Sequence, residues 1–215
     1  MYINRAEASL GARVKLTAIM PVFNEAGTLL QVAEEALRYV DELVIVDDGS
    51  TDGSGDLIKE LKRRYPSRIK AISIPFNCGK GVAIRLGLKE ATGDVIYVQD
   101  ADGEYSPSEM FKLLMMMVRS GAEACFGSRF KGNWRGMAIT HYIANRGISL
   151  LVSFLVLRRI TDVTTGAKAW SKEVARSLDV ESRGFSVEVE LAIKTIRRAR
   201  KYLEAPINYR RRKVG

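Results

Sequence analysis

A chain of 215 residues is long enough to bury one good-sized core without staples, and its 47% hydrophobic and 27% charged content excludes a disordered or fibrous protein. The 34 basic against 25 acidic residues give a net charge of +9, which directs expectation toward polyanions: nucleic acid, an anionic membrane surface or a phosphorylated substrate. No charged-then-apolar leader opens the chain, and no apolar run reaches the about 20 residues of a membrane span.

The first half alternates. Residues 14–20 read as a strand, and 28–40 as a helix with Leu29, Val32, Ala33, Ala36 and Leu37 on one face. Residues 43–46 form a second strand. After the turn DDGSTDGSG come a helix over 56–65, a strand over 69–74, a helix over 79–91 and a strand over 95–98. A helix over 106–119, with Pro107 in its first turn, and a strand over 122–126 complete this part. Such alternation predicts an α/β fold: a mostly parallel central sheet flanked by helices, with ligands at the carboxyl ends of strands.

The rhythm then breaks. Residues 134–157 read as one or two helices containing the run ISLLVSFLVL, flanked by Arg158 and Arg159. A run of ten residues does not span a bilayer, so it reads first as a core helix, with a membrane-interface helix over 137–157 as the alternative. A strand over 168–170, a helix over 186–201 and a strand near 205–209 follow. Lys194 to Lys213 holds nine basic residues and one acid, Glu204. Cys78 and Cys125 stand far apart outside any metal motif, as free thiols in a reducing, cytosolic setting would.

The chemistry concentrates at strand ends. In VIYVQDADGEY, Asp100, Asp102 and Glu104 alternate directly after an apolar strand, where extended backbone would turn them to one side. Crowded carboxylates repel one another, and a divalent cation, Mg2+ or Mn2+, reverses that cost. In VIVDDGSTDGS, Asp47 and Asp48 end another strand, where an acid can accept from a base edge or a ribose, while Ser50 and Asp52 suit helix caps. IMPVFNEAGT offers Pro21, Asn24 and Glu25. NCGKGVAIRLG places two glycines and a lysine at a helix start and suggests an anion on backbone N–H groups, although it matches neither dinucleotide nor P-loop spacing.

Taken together, PVFNE, VDDGSTD, NCGKG, DADGE and FGSR resemble the motif series of the family 2 glycosyltransferases with the GT-A fold, and more narrowly the dolichyl-phosphate mannose synthase and polyprenyl-phosphate glycosyltransferase group. DVTTGAKAW, GFSVEVEL and PINYRRRKVG resemble later segments of that group. The resemblance implies a single GT-A domain over 1–215: a nucleotide-sugar-binding half over 14–130 and an acceptor-side half over 131–215. It implies a metal-dependent inverting hexosyltransferase that moves a sugar from a nucleotide sugar, GDP-mannose before UDP-glucose, to a polyprenyl or dolichyl phosphate. By that resemblance Pro21, Phe23, Glu25, Val46, Asp48, Asp100, Ala101, Asp102, Arg129 and Arg212 hold the nucleotide sugar. Asp100, Asp102 and Glu104 hold the metal, and Arg129, His141 and Arg146 take the acceptor phosphate. Asp100, Asp102 and Arg129 are the catalytic set.

Three departures stand out. Ala167 replaces an aromatic residue, His141 stands where an arginine is expected, and the closing G-x-S-K motif is cut at Gly215, as in a chain that lacks a further C-terminal segment. The implied location is peripheral, on the cytoplasmic side of a membrane, with a membrane-anchoring partner or that missing segment completing it. Arg210 to Lys213 are expected to fold over the donor diphosphate. A basic nucleic-acid-binding module would have no use for the acidic strand ends, and a pyrophosphorylase would open with a Gly-rich loop that PVFNEAG is not. A soluble acceptor stays open.

Overall fold

The computed structural model describes residues 13–134 and 137–209. Seven strands form one sheet: β1 (Leu16–Val22), β2 (Glu42–Asp48), β3 (Ile69–Ile74), β4 (Val95–Val98), β5 (Ala124–Asn133), β6 (Lys168–Ser171) and β7 (Tyr202–Asn208). Their order is β3-β2-β1-β4-β6-β5-β7. β1 pairs in parallel with β2 and β4, β2 with β3, and β5 with β7, whereas β6 runs antiparallel between β4 and β5. All strands but β6 therefore end along one edge, and β6 begins there.

The helices are α1 (Leu29–Ala36), α2 (Ser54–Arg64), α3 (Lys80–Glu90), α4 (Pro107–Ser120), α5 (Ile139–Val156), α6 (Lys172–Ser177) and α7 (Val187–Arg198). They cover both faces of the sheet, which is why β1, β2 and β4 read as near-continuous apolar runs. Alternation along the strands sorts the two sides. Ala18, Met20, Ile45 and Tyr97 pack with α1, α2 and α4, whereas Ile19, Ile96 and Trp170 pack with α3, α6 and α7. Local chemistry sets the boundaries of α4. Ser106 accepts from the Glu109 N–H, Pro107 opens the first turn, and Gly121 closes the helix in the left-handed region at φ 62°.

Two expectations change. β5 runs on to Asn133, seven residues beyond the strand end read from the sequence, because β7 pairs with it as far as Asn208. The core-helix reading of ISLLVSFLVL does not hold. α5 is a single 18-residue helix whose buried residues are Ser149 and Val152, with Leu150 66%, Phe154 76% and Leu155 61% exposed. It is also long and apolar enough to cross a membrane by length and composition, which the ten-residue run by itself did not suggest.

Candidate active site

The shared carboxyl edge of the strands is hollowed into a cleft of about 600 Å³. Pro21, Phe23 and Glu25 from the end of β1, Asp48 from β2, Asp100, Ala101, Asp102 and Glu104 after β4, and Arg129 from β5 all line it. These lie up to 108 positions apart in sequence, and the parallel topology brings them together. Lys80, Thr164, Gly166, Phe185 and Glu188 line it as well.

Two loops at the β1–β2 end are tied to each other. The N–H groups of Asn24, Glu25 and Ala26 donate to Ser50 Oγ, Ser54 Oγ and Asp52 Oδ2, and Asn24 Oδ1 accepts from the Thr51 N–H at 2.8 Å. Asn24 takes a left-handed φ of 55°, a conformation asparagine tolerates better than most residues. Ser50, expected as a helix cap, anchors the neighbouring PVFNEAG loop. Asp52 does both, its Oδ2 holding that loop and its Oδ1 accepting from the N–H of Ser54, the first residue of α2, across the N-cap residue Gly53.

NCGKG does present N–H groups to an anion, and the anion is Asp48. Its Oδ1 and Oδ2 accept from the Cys78 and Gly79 N–H groups at 2.8 and 2.7 Å. Gly79, at φ 96°, also lies where a Cβ would run into the Arg183 carbonyl, and the Gly81 N–H donates to that carbonyl at 2.8 Å. The start of α3 is thus closed over by residues 182–184.

Around Asp100 the charges form a chain. Lys80 Nζ lies 2.7 Å from Asp100 Oδ1 and 2.9 Å from Glu188 Oε1, and Glu188 Oε2 lies 2.6 Å from Lys168 Nζ. Lys168 is wholly buried and also donates to the Val163 and Thr165 carbonyls. Burial alone would raise the Glu188 carboxyl, but Lys168 and Lys80 outweigh it and hold the group down at about 2. Burial also opposes the charged form of Lys80, yet Asp100 and Glu188 raise its pKa well above the usual lysine value. Gly166 lets this form, since a Cβ there would collide with Asp100 Oδ2.

Arg129 is held as a fork. Its Nε and Nη2 donate to Asp162 Oδ2 and Oδ1 at 2.7 and 2.6 Å, Nη2 also reaches Thr164 Oγ1, and the Arg129 N–H donates to Asp162 Oδ2. Asp102 Oδ1 accepts from the Glu104 N–H, and Glu104 Oε1 accepts from the Tyr209 hydroxyl at 3.1 Å. Burial, then Asp102, push the Glu104 carboxyl up. Among the described residues no set of three Asp, Glu, His or Cys side chains converges as a ready-made metal cage. Asp100 and Asp102 nevertheless face one cleft, and two carboxylates suit an ion that takes its other ligands from phosphate and water.

Several expected residues lie elsewhere. Val46 is fully buried beneath the cleft, packed with Val44 and Ala83. His141 is exposed on α5, away from the cleft. Arg146 stacks over the Phe130 ring at 5.3 Å and borders a separate hollow with Arg158 and Arg159. Arg212 lies outside the described residues. Trp170 fills the core and donates to Thr195 Oγ1, and Trp134 packs on Tyr142. Sequence reasoning missed Lys80, Asp162 and Glu188 as members of the site. The only signal for them was their position inside motifs already singled out, NCGKG, DVTTGA and GFSVEVEL.

A mostly parallel sheet of this order, with acidic strand ends around one edge cleft, is the GT-A glycosyltransferase architecture. Residues 17–178 match the family model described as glycosyl transferase family 2, and the chain belongs to that family. It is 28% identical to the polyprenol monophosphomannose synthase of Mycolicibacterium smegmatis over 92% of this chain and 78% of that protein. It is 31% identical to the dolichol-phosphate mannosyltransferase of Pyrococcus furiosus over 91% of this chain, which spans 56% of that relative's length. The fold matches mannosyl-3-phosphoglycerate synthase from Rubrobacter xylanophilus (TM-score 0.69, 17% identity, 97% of this chain and 70% of that one). It also matches a mannosyltransferase from Pyrobaculum calidifontis solved with GDP-mannose and Mn2+ (TM-score 0.63, 17% identity, 95% of this chain and 61% of that one).

Proposed function

We propose that the protein is a metal-dependent inverting hexosyltransferase that moves mannose from GDP-mannose to a polyprenyl or dolichyl phosphate. The observation that carries this reading is the convergence of Pro21, Phe23, Glu25, Asp48, Asp100, Asp102 and Arg129 on one cleft. The names of the two relatives support the sugar and the acceptor, and the mannosyltransferase solved with GDP-mannose and Mn2+ supports the donor. Asp100 and Asp102 would hold Mg2+ or Mn2+, which when bound supplies Lewis-acid neutralisation of the leaving diphosphate.

The protein's own groups do the rest. Phe23, 43% exposed at the end of β1, offers a ring to the donor base, and Glu25 stands beside it. Arg129, fixed by Asp162, presents its remaining guanidinium nitrogen to phosphate oxygens without having to be ordered first. A phosphate acceptor already carries its nucleophilic oxyanion at neutral pH, so no strong general base is required.

The acceptor's lipid tail fits a second feature. Phe130, next to Arg129, packs edge-on against Tyr142 of α5 at 5.1 Å, so the exposed apolar helix starts beside the wall of the cleft. Phe185, 86% exposed, stands at the cleft mouth. Both support peripheral attachment to a membrane by partial burial of α5 among headgroups, and the reading assigns this to an anionic surface on the cytoplasmic side. Transfer assays with GDP-mannose and UDP-glucose, each with Mn2+ and with or without polyprenyl phosphate, test the reading. Lipid-dependent release of GDP is expected. Turnover that ignores the lipid would overturn the acceptor, and turnover with UDP-glucose alone would overturn the donor.

A further inference from the structure

Of the described residues that line the cleft, two are basic: Lys80 and Arg129. Arg129 is committed to Asp162 through two nitrogens. Lys80 is placed differently, bridging Asp100, which the reading above gives to the metal, and Glu188, which it does not. Glu188 cannot follow Lys80 outward. Its second oxygen is fastened to Lys168, and that ammonium is wholly buried and donates to two backbone carbonyls. The result is an alternating row, Asp100–Lys80–Glu188–Lys168, rigid at the buried end and open at the cleft end. The side chains of Lys80 and Asp100 keep 20% and 18% of their surface exposed, against none for Lys168.

We propose that Lys80 is a positioning residue that serves as the resident cation of Asp100, aiming this carboxylate into the cleft and yielding it to the divalent metal only when a nucleotide diphosphate arrives with it. The inference rests on the reading that Asp100 and Asp102 hold the metal. Two cations cannot share one carboxylate at contact distance without strong mutual repulsion, so a metal entering alone meets Lys80 as a competitor. The negative diphosphate removes that barrier. Lys80 then keeps Glu188 as its partner and needs no other. Metal binding is thereby coupled to donor binding by an ammonium that belongs to the protein.

Mn2+ titration of the folded full chain by calorimetry, with and without GDP, tests this. A unit charge a few Å from the metal is worth more than a factor of ten even at the dielectric of a partly exposed site, so Lys80→Met should bind Mn2+ alone at least about tenfold tighter than the parent. The gain in Mn2+ affinity on adding GDP should shrink to match. Lys80→Arg, which keeps the charge, should bind Mn2+ alone as weakly as the parent. A folded Lys80→Met with unchanged or weaker Mn2+ affinity overturns the proposal and leaves Lys80 a structural ion-pair partner. Should Lys80→Met fail to fold, Glu188→Gln decides. It leaves Lys80 to Asp100 alone and should weaken Mn2+ binding several-fold, and unchanged or tighter binding overturns the proposal. Asp102→Ala separates the two readings: if it leaves Mn2+ affinity in the presence of GDP intact, the metal-site assignment itself falls and takes this inference with it.

Discussion

Arg129 and Asp162 show what one buried pair does for a site. Arg129 is 7% exposed and Asp162 not at all, and three nitrogens of Arg129, one of them in its backbone, converge on Asp162. A planar fork held this way cannot be imitated by lysine, which offers a point charge. Removing one partner leaves the other charge buried without compensation. Asp162→Asn should therefore cost about 3–5 kcal/mol in urea unfolding. Arg146→Ala, which removes a half-buried side chain stacked on Phe130, should cost about 1 kcal/mol or less. Equal losses in the two variants would count against the pair as the anchor of the cleft wall. Arg129 was legible in FGSR. Its partner, 33 positions later, was not, because nothing in a sequence reports which acid a long side chain will meet.

α5 is the element whose surface contradicts its composition. Its outer residues Ile143, Leu150, Leu151, Phe154 and Leu155 are exposed, while Ser149 and Ser153 face inward. Ser149 Oγ accepts from the Val163 N–H, and Ser153 Oγ accepts from the Ile160 N–H, so the polar side of the helix is spent on holding the chain that returns beneath it. Replacing Leu150, Phe154 and Leu155 together by serine should leave the urea midpoint nearly unchanged, because exposed positions contribute within about 0.5 kcal/mol each. The same variant should lose flotation with anionic liposomes, and the parent's flotation should weaken with added salt. A large fall in stability would instead show that these side chains are covered by protein. The sequence exposed the apolar run, but burial is decided by what packs over it, and α7 covers only the Val152 side.

At the scale of the whole molecule, two acids of α7 hold it in place: Glu188 ties it to α3 and the sheet, and Glu190 ties it to the segment that precedes it. Glu188 joins Lys80 of α3 to Lys168 of β6, and Glu190 accepts from the Glu181 and Ser182 N–H groups and pairs with Lys194. In each case burial would raise the carboxyl. Lys168 and Lys80 overcome it for Glu188, and Lys194 with the two N–H groups overcomes it for Glu190, leaving both at about 2 against an ordinary 4.5. A lowered folded-state pKa means stability that is complete above the unfolded value and lost as pH falls through the folded one. Urea midpoints should accordingly hold steady down to about pH 4.5 and then drop toward pH 2. Glu188→Gln should flatten that drop and lower stability at neutral pH, where Lys168 stays buried without its counter-charge. An acid limb as steep in the variant as in the parent would assign the loss to other groups.

The sequence by itself determined the alternation of strands and helices, the strand-end position of Asp48, Asp100 and Asp102, and the start of α4 at Pro107. Each of these rests on neighbours within a few residues, where periodicity and turn chemistry act. Only the tertiary structure decided that the anion on NCGKG is Asp48, that Glu104 meets Tyr209, and that Lys80 stands between Asp100 and Glu188. These pairs join segments 20 to 108 positions apart across the edge of one sheet. What brings them together is strand order and direction, and above all the antiparallel β6, which delivers Gly166 and Lys168 to the same edge where the parallel strands end.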